Sequence, residues 1–267
     1  MTETDTAAKP PATSHPPVQI PNIRQVTTDD VYAALKAGLR DFQRAPMFGL
    51  FFGAVFSVFG IVMAALLFFS DAGYWVLPMT AGFPLIGPFA AVGLYEVSRR
   101  LKNDEPLSWG AILASGFRST SGQLPFFAVL AVFFLLVWIV IARVVFAVTF
   151  GTATMTNVMT SLEVYTTFEG VSMLLIGSVI GAALAGLLFS ISVIGVPMLL
   201  DREVDIVTAM ITSFKATVEN RGPMIFWAMI VAGTTVVACM PLFLGMIFVF
   251  PMLGHSAWHL YQAVIEP

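Results

Sequence analysis

His255 and His259 stand four residues apart, so on a helix both imidazoles face the same way, as two metal or haem ligands would. Ser256, Ala257 and Trp258 lie between them, so no HExxH motif runs from His255. The competing reading places both histidines at a membrane interface beside Trp258 and Tyr261, as part of an aromatic belt. That reading is favoured, and no cofactor is expected. Glu96, Asp201, Glu203 and Asp205 carry the carboxylates that could hold a cation or pass protons near these histidines. The same carboxylates could instead pair with Arg99, Arg100 and Arg202, and with Arg40, Arg118 and Lys215, as a neutralised rim. Pairing is the favoured reading here too.

Arg143 is the one charge well inside an apolar run, which makes it a candidate for function. Its alternative is snorkelling to the far interface, towards water or Glu163 and Glu169. Pro84 and Pro88 (with Pro78), Pro197 and Pro251 would free backbone carbonyls at membrane depth. Such groups persist only against protein or a water-filled cavity, so they could line a substrate site built from broken helices. Kinks that serve only packing are equally common. Walker A, GxSxG, CxxC and dinucleotide-binding patterns are missing, so the expectation is a protein that is not an enzyme.

The surrounding sequence must position these groups within a bilayer. Of 267 residues, 58% are hydrophobic and 11% charged, against about a quarter charged in globular chains. Mean hydropathy is +0.87. Apolar runs of about 20 residues, the length that crosses a hydrocarbon core, recur along the chain. A net charge of −3 argues against a nucleic-acid partner. The single cysteine, Cys239, reads as a small buried hydrophobe.

Residues 1–27, rich in Thr, Ala and Pro, read as a disordered tail, and 28–265 as a membrane domain. An amphipathic helix with Val31, Leu35, Leu39 and Phe42 on one stripe precedes Pro46 and a first span to Phe69. A second run covers Trp75–Tyr95, and a third starts at Pro125 and continues to about Phe150. A fourth runs from Val171 to Leu200, with a small-residue face at Gly177, Gly181 and Ala185. A second surface segment carries Trp109, Ile112, Leu113 and Phe117, and a third carries Val207, Ile211, Phe214 and Val218. The last 40 or so residues fit a fifth span at Pro223–Cys239 and a sixth at Leu242–Tyr261, joined at Pro241. Twelve Lys and Arg fall on one set of alternating connections and none on the other, which predicts both termini in the cytoplasm.

An internal repeat emerges. Ala37-Gly38-Leu39-Arg40, Ser115-Gly116-Phe117-Arg118 and Thr212-Ser213-Phe214-Lys215 each end in a cation, with proline following within nine positions. Pro88, Pro197 and Pro251 each precede an ionisable group by eight residues: Glu96, Asp205 and His259. The expected fold is an all-α membrane protein with six transmembrane helices, built as three repeats of an interfacial amphipathic helix plus a transmembrane hairpin. The units cover about 28–105, 106–200 and 201–265. Arg40 and Arg118 are then expected to pair with Glu96 and Asp205.

The segments GPFAAVGLYEVSRRL, VPMLLDREVDIVTAMITSFKATVENRGPMIF and PMLGHSAWHLYQ resemble an uncharacterised family of bacterial integral membrane proteins, over roughly residues 22–265. The resemblance implies a bacterial inner-membrane location and no established activity. Some members carry cytochrome c oxidase subunit labels, yet three histidines are too few for a haem-copper oxidase core. The functional expectation is non-enzymatic binding or transport of a small or lipid-like ligand. A scaffold or assembly factor for a larger, respiratory-type complex is the alternative. The expected partners are the lipid bilayer and a membrane protein or second copy met through small-residue faces.

Overall fold

A computed structural model describes residues 21–69, 90–115, 122–151 and 166–266. They are helical, in the order α1 (Thr28–Arg44), α2 (Pro46–Phe69), α3 (residues 90–102), α4 (Trp109–Ser115), α5 (Leu124–Phe150), α6 (Phe168–Ser192), α7 (Gly195–Asp201), α8 (Ile206–Glu219), α9 (Arg221–Cys239) and α10 (Met246–Val264). Among the described residues, four stretches are long and apolar enough to cross a membrane: Pro46–Leu66, Leu124–Phe150, Phe168–Asp201 and Arg221–Cys239. Only 17–33% of each apolar window is buried against protein, which leaves the rest for lipid tails. Most of the expected second span lies outside the described residues. The expected sixth span corresponds to α10, whose later turns carry His255, Ser256, His259 and Gln262 and fall below that apolar standard.

α10 organises the packing, with α1 and α2 against one side and α9 beside it. The α2 contact depends on closeness. A Cβ on Gly53 would lie 2.3 Å from the Ile247 carbonyl oxygen, and one on Gly49 3.1 Å from Pro251. Pro251 has no N–H to offer the Ile247 carbonyl four residues earlier, and the bare Gly53 backbone fills the gap. Pro251 thus lies at the close contact between α10 and α2. α9 turns into α10 through Leu242 and Phe243 in the left-handed region, and the Ser57 hydroxyl donates to the Phe243 carbonyl at 2.8 Å.

The surface helices bury one face against the bundle and leave large apolar side chains on the other. α1 buries Val31, Ala34, Gly38 and Asp41, while Leu39 is exposed. α8 buries Ala209, Thr212, Ser213 and Ala216, and its large stripe, Val207, Ile211, Phe214 and Val218, is 45–59% exposed. α4 buries Ile112 and Ser115 while Trp109 and Leu113 face outward. Next to lipid, large apolar residues gain nothing by turning inward, whereas small ones let backbones approach. Gly38 shows the gain: its Cβ would lie 2.1 Å from Ser256 Oγ.

Residues 22–26, expected in the tail, are tied down. Ile23 bridges Ile265, and Arg24 N–H donates to the Val264 carbonyl at 2.7 Å. Asn220, between α8 and α9, accepts from Val26 N–H at 2.8 Å and donates to the Arg24 and Ala216 carbonyls.

Candidate functional site

Chemistry-bearing side chains gather where the charged end of α3 meets α1, α4, α7 and α10. Two turns of α3 divide them, because Glu96, Arg99 and Arg100 point to one side and Ser98 and Lys102 to the other.

On the first side Glu96 is only 4% exposed. Its carboxylate accepts from Arg99 Nε at 2.8 Å and Nη2 at 2.9 Å, and from Arg100 Nε at 2.7 Å. Glu105 reaches the same guanidiniums at 3.3 and 3.6 Å. Hydrogen bonding by Glu96 holds the Arg99 guanidinium above its usual value despite partial burial. Asp201, at the end of α7, accepts from the Tyr261 hydroxyl at 2.7 Å, and Arg202 approaches it at 4.0 Å. Glu96, Arg99, Arg100 and Asp201 line a cavity of about 340 Å³ with Ala111, Ser115 and Leu200. Opposite charges are matched, so a cation or proton site gains no free carboxylate here. Asp205 stands apart as the N-cap of α8, accepting from Thr208 N–H at 2.9 Å. Those Thr208 hydrogen bonds lower its carboxyl pKa.

On the other side lies a chain absent from the sequence reading. His259 Nε2 sits 2.6 Å from Asp41 Oδ2, and Ser98 Oγ 2.8 Å from His255 Nδ1. Burial would raise the Asp41 carboxyl, but hydrogen bonds from His259 and Ser98 and the nearby imidazoles outweigh it and leave the group below its usual range. Above this chain Arg40, Arg44 and Lys102 surround a cavity of about 260 Å³ with Ala37. Lys102 Nζ donates to Gln262 Oε1 at 3.1 Å. Among the described residues Arg40 and Arg44 meet no carboxylate within 4.0 Å.

The expected pairings are therefore corrected. Glu96 takes cations from its own helix, Asp205 caps α8, and Arg40 and Lys215 are exposed without an ion pair among the described residues. Arg118 lies outside those residues. The first surface helix does meet the last returning helix, but through Asp41 and His259. The aromatic belt is corrected as well. His255, Trp258 and Tyr261 are buried, with Trp258 5.5 Å from Tyr261 and 6.3 Å from Tyr95, ring centre to ring centre. His255 and His259 have different partners, and among the described residues no three His, Cys, Asp or Glu side chains group as a metal site.

Arg143 is exposed on the outer face of α5. Pro84 and Pro88 lie outside the described residues. Pro197 sits in the first turn of α7, just after the chain breaks from α6. The bond lost there, Ile194 N–H to the Ser190 carbonyl, is replaced by one inserted hydroxyl: Ser213 Oγ accepts from Ile194 at 3.1 Å and donates to Ser190 at 2.7 Å. That break offers these two groups to α8 rather than to a substrate.

A third cavity, about 440 Å³, lies within the apolar part of the bundle. It is walled by Ala91 and Tyr95 of α3, Phe127 and Ala131 of α5, Trp227 of α9 and Leu253 of α10, with residues of α6 and α7 completing it.

Residues 76–201, just under half of the chain, match the model of a family described as a predicted integral membrane protein (DUF2189). The chain is an integral membrane protein. No curated protein and no solved structure matches it. The matched region of this membrane protein holds Glu96, Arg99, Arg100 and Asp201, whereas Asp41, His255 and His259 lie beyond it.

Asp41 was findable. Val31, Ala34, Gly38 and Asp41 follow helical spacing, and a carboxylate on a small-residue stripe marks a buried polar contact. Ser98 and Asn220 carried no such signal.

Proposed function

We propose that this membrane protein is not an enzyme and that it binds or carries a small, lipid-like apolar ligand between α3, α5, α6, α7, α9 and α10. The 440 Å³ cavity carries the reading. It falls in the size range of ligand pockets, and its almost wholly apolar lining suits an apolar guest. The small residues Ala91, Ala131, Gly254 and Ala257 line it and leave it open.

The finer architecture belongs to the same proposal: a bacterial inner-membrane protein of six spans in three units, with both termini cytoplasmic. Support comes from α1, α4 and α8, each of which keeps some large apolar side chains exposed, Tyr32 and Leu39, Trp109 and Leu113, and Val207, Ile211, Phe214 and Val218. Helices lying in the interface would be built this way. Reporter fusions after Asp71, Thr156 and Met240 should read periplasmic, and those after Lys102, Glu219 and Pro267 cytoplasmic.

Purification without added partner tests the function. A monodisperse species that releases stoichiometric lipid or apolar solute on denaturation is expected, and Ala131→Trp should abolish the release. Subunits that persistently co-purify, with an empty cavity, would replace the carrier by the scaffold.

A further inference from the structure

We propose that the cavity between α1, α3 and α10 is an anion site for a phosphate-bearing group, separate from the apolar cavity. Arg40 and Arg44 are one helical turn apart on α1, and Lys102 joins them from α3. Like charges four residues apart on a helix repel, and a third cation adds to the cost. The one carboxylate in the lining among the described residues, Asp41, is turned to His259 and Ser98. The cavity thus presents two guanidiniums and an ammonium against a single carboxylate that is bonded to His259 instead, which leaves a net positive lining. At about 260 Å³ it holds far more than one water. Two guanidinium forks and an ammonium suit a tetrahedral oxyanion, whose several oxygens each accept charge-assisted hydrogen bonds.

Its position narrows the class. Leu39 and Met47, flanking Arg40 and Arg44 in sequence, are exposed apolar side chains on α1 and at the start of α2. Apolar residues that face lipid beside cations that face a cavity put the opening at headgroup depth, where basic pockets meet anionic lipid. The neighbouring cavity lined by Glu96, Arg99, Arg100 and Asp201 is a built-in control, since its charges are matched.

The test uses the full chain in neutral detergent, with melting temperature as readout. It is titrated with short-chain phosphatidylglycerol, short-chain phosphatidylcholine or inorganic phosphate, each with Arg40→Gln, Arg44→Gln and Lys215→Gln variants. Lys215 is an exposed cation at the corresponding place on α8, without this cavity. Phosphatidylglycerol should stabilise the protein at concentrations where phosphatidylcholine does not. Arg40→Gln or Arg44→Gln should weaken that effect about tenfold, and Lys215→Gln should leave it intact. Matching stabilisation by inorganic phosphate would identify a free phosphate as ligand, and stabilisation by the lipid alone a lipid headgroup. Equal stabilisation by phosphatidylcholine, or equal loss in Lys215→Gln, would overturn the site and leave only diffuse surface charge. The Arg variants melt on their own as a fold check, because both side chains are exposed.

Discussion

The two charged cavities beside α3 use the same residue types for opposite ends. Glu96 is buried and surrounded by Arg99, Arg100 and Glu105, so each charge there is spoken for. Arg40 and Arg44 face a cavity whose one carboxylate among the described residues, Asp41, is bonded to His259. The first arrangement stabilises the fold, since a buried carboxylate tolerates burial only when paired. The second costs stability and persists with its charges unmatched. Counting charges in a loop cannot separate the two, because what matters is which cations lie within reach of which carboxylates.

The largest effect is expected on the matched side. Removing both partners of Glu96 with Arg99→Gln and Arg100→Gln should cost about 3–5 kcal/mol, read as a lowered melting temperature in detergent. Adding Glu96→Gln to that variant should restore most of the loss. If it restores nothing, the arginines act through Glu105 and Pro106 rather than through Glu96.

Next comes Asp41, which joins α1 to α10. Asp41→Asn should cost about 1–3 kcal/mol by weakening the bonds to His259 and Ser98. The folded-state carboxyl lies below its ordinary value, so its contribution is present above about pH 4 and is lost as pH falls through the folded value. A melting series towards acid should therefore show wild type converging on Asp41→Asn. Parallel curves throughout would remove charge from the explanation.

Helix type, the span boundaries at Phe69, Phe150 and Cys239, and the pairing of Glu96 with Arg99 and Arg100 were legible from spacing alone. The inward face of α8 was not, and that of α1 shows only as a small-residue stripe ending in Asp41. Periodicity marks the large apolar stripe, and in water that stripe would be the buried one. A bilayer removes this rule, and Gly38 on Ser256 and Ser213 at the α6 break show close approach deciding instead. His255 and His259 were visible as a pair, but their partners, Ser98 and Asp41, lie on other helices at 157 and 218 residues' separation.

A small effect is expected at Lys215, which is exposed and meets no carboxylate among the described residues. Lys215→Gln should change stability by less than about 0.5 kcal/mol. A clear loss would mean that the third surface helix depends on its cation after all.

The decisive comparison is the Arg40→Gln, Arg44→Gln double variant against Arg99→Gln, Arg100→Gln, melted in neutral detergent at low salt. Removing Arg40 and Arg44 should leave the melting temperature unchanged or raise it slightly, because like-charge repulsion is relieved. A fall as large as that of the Arg99 and Arg100 pair would contradict the account and make both cavities structural.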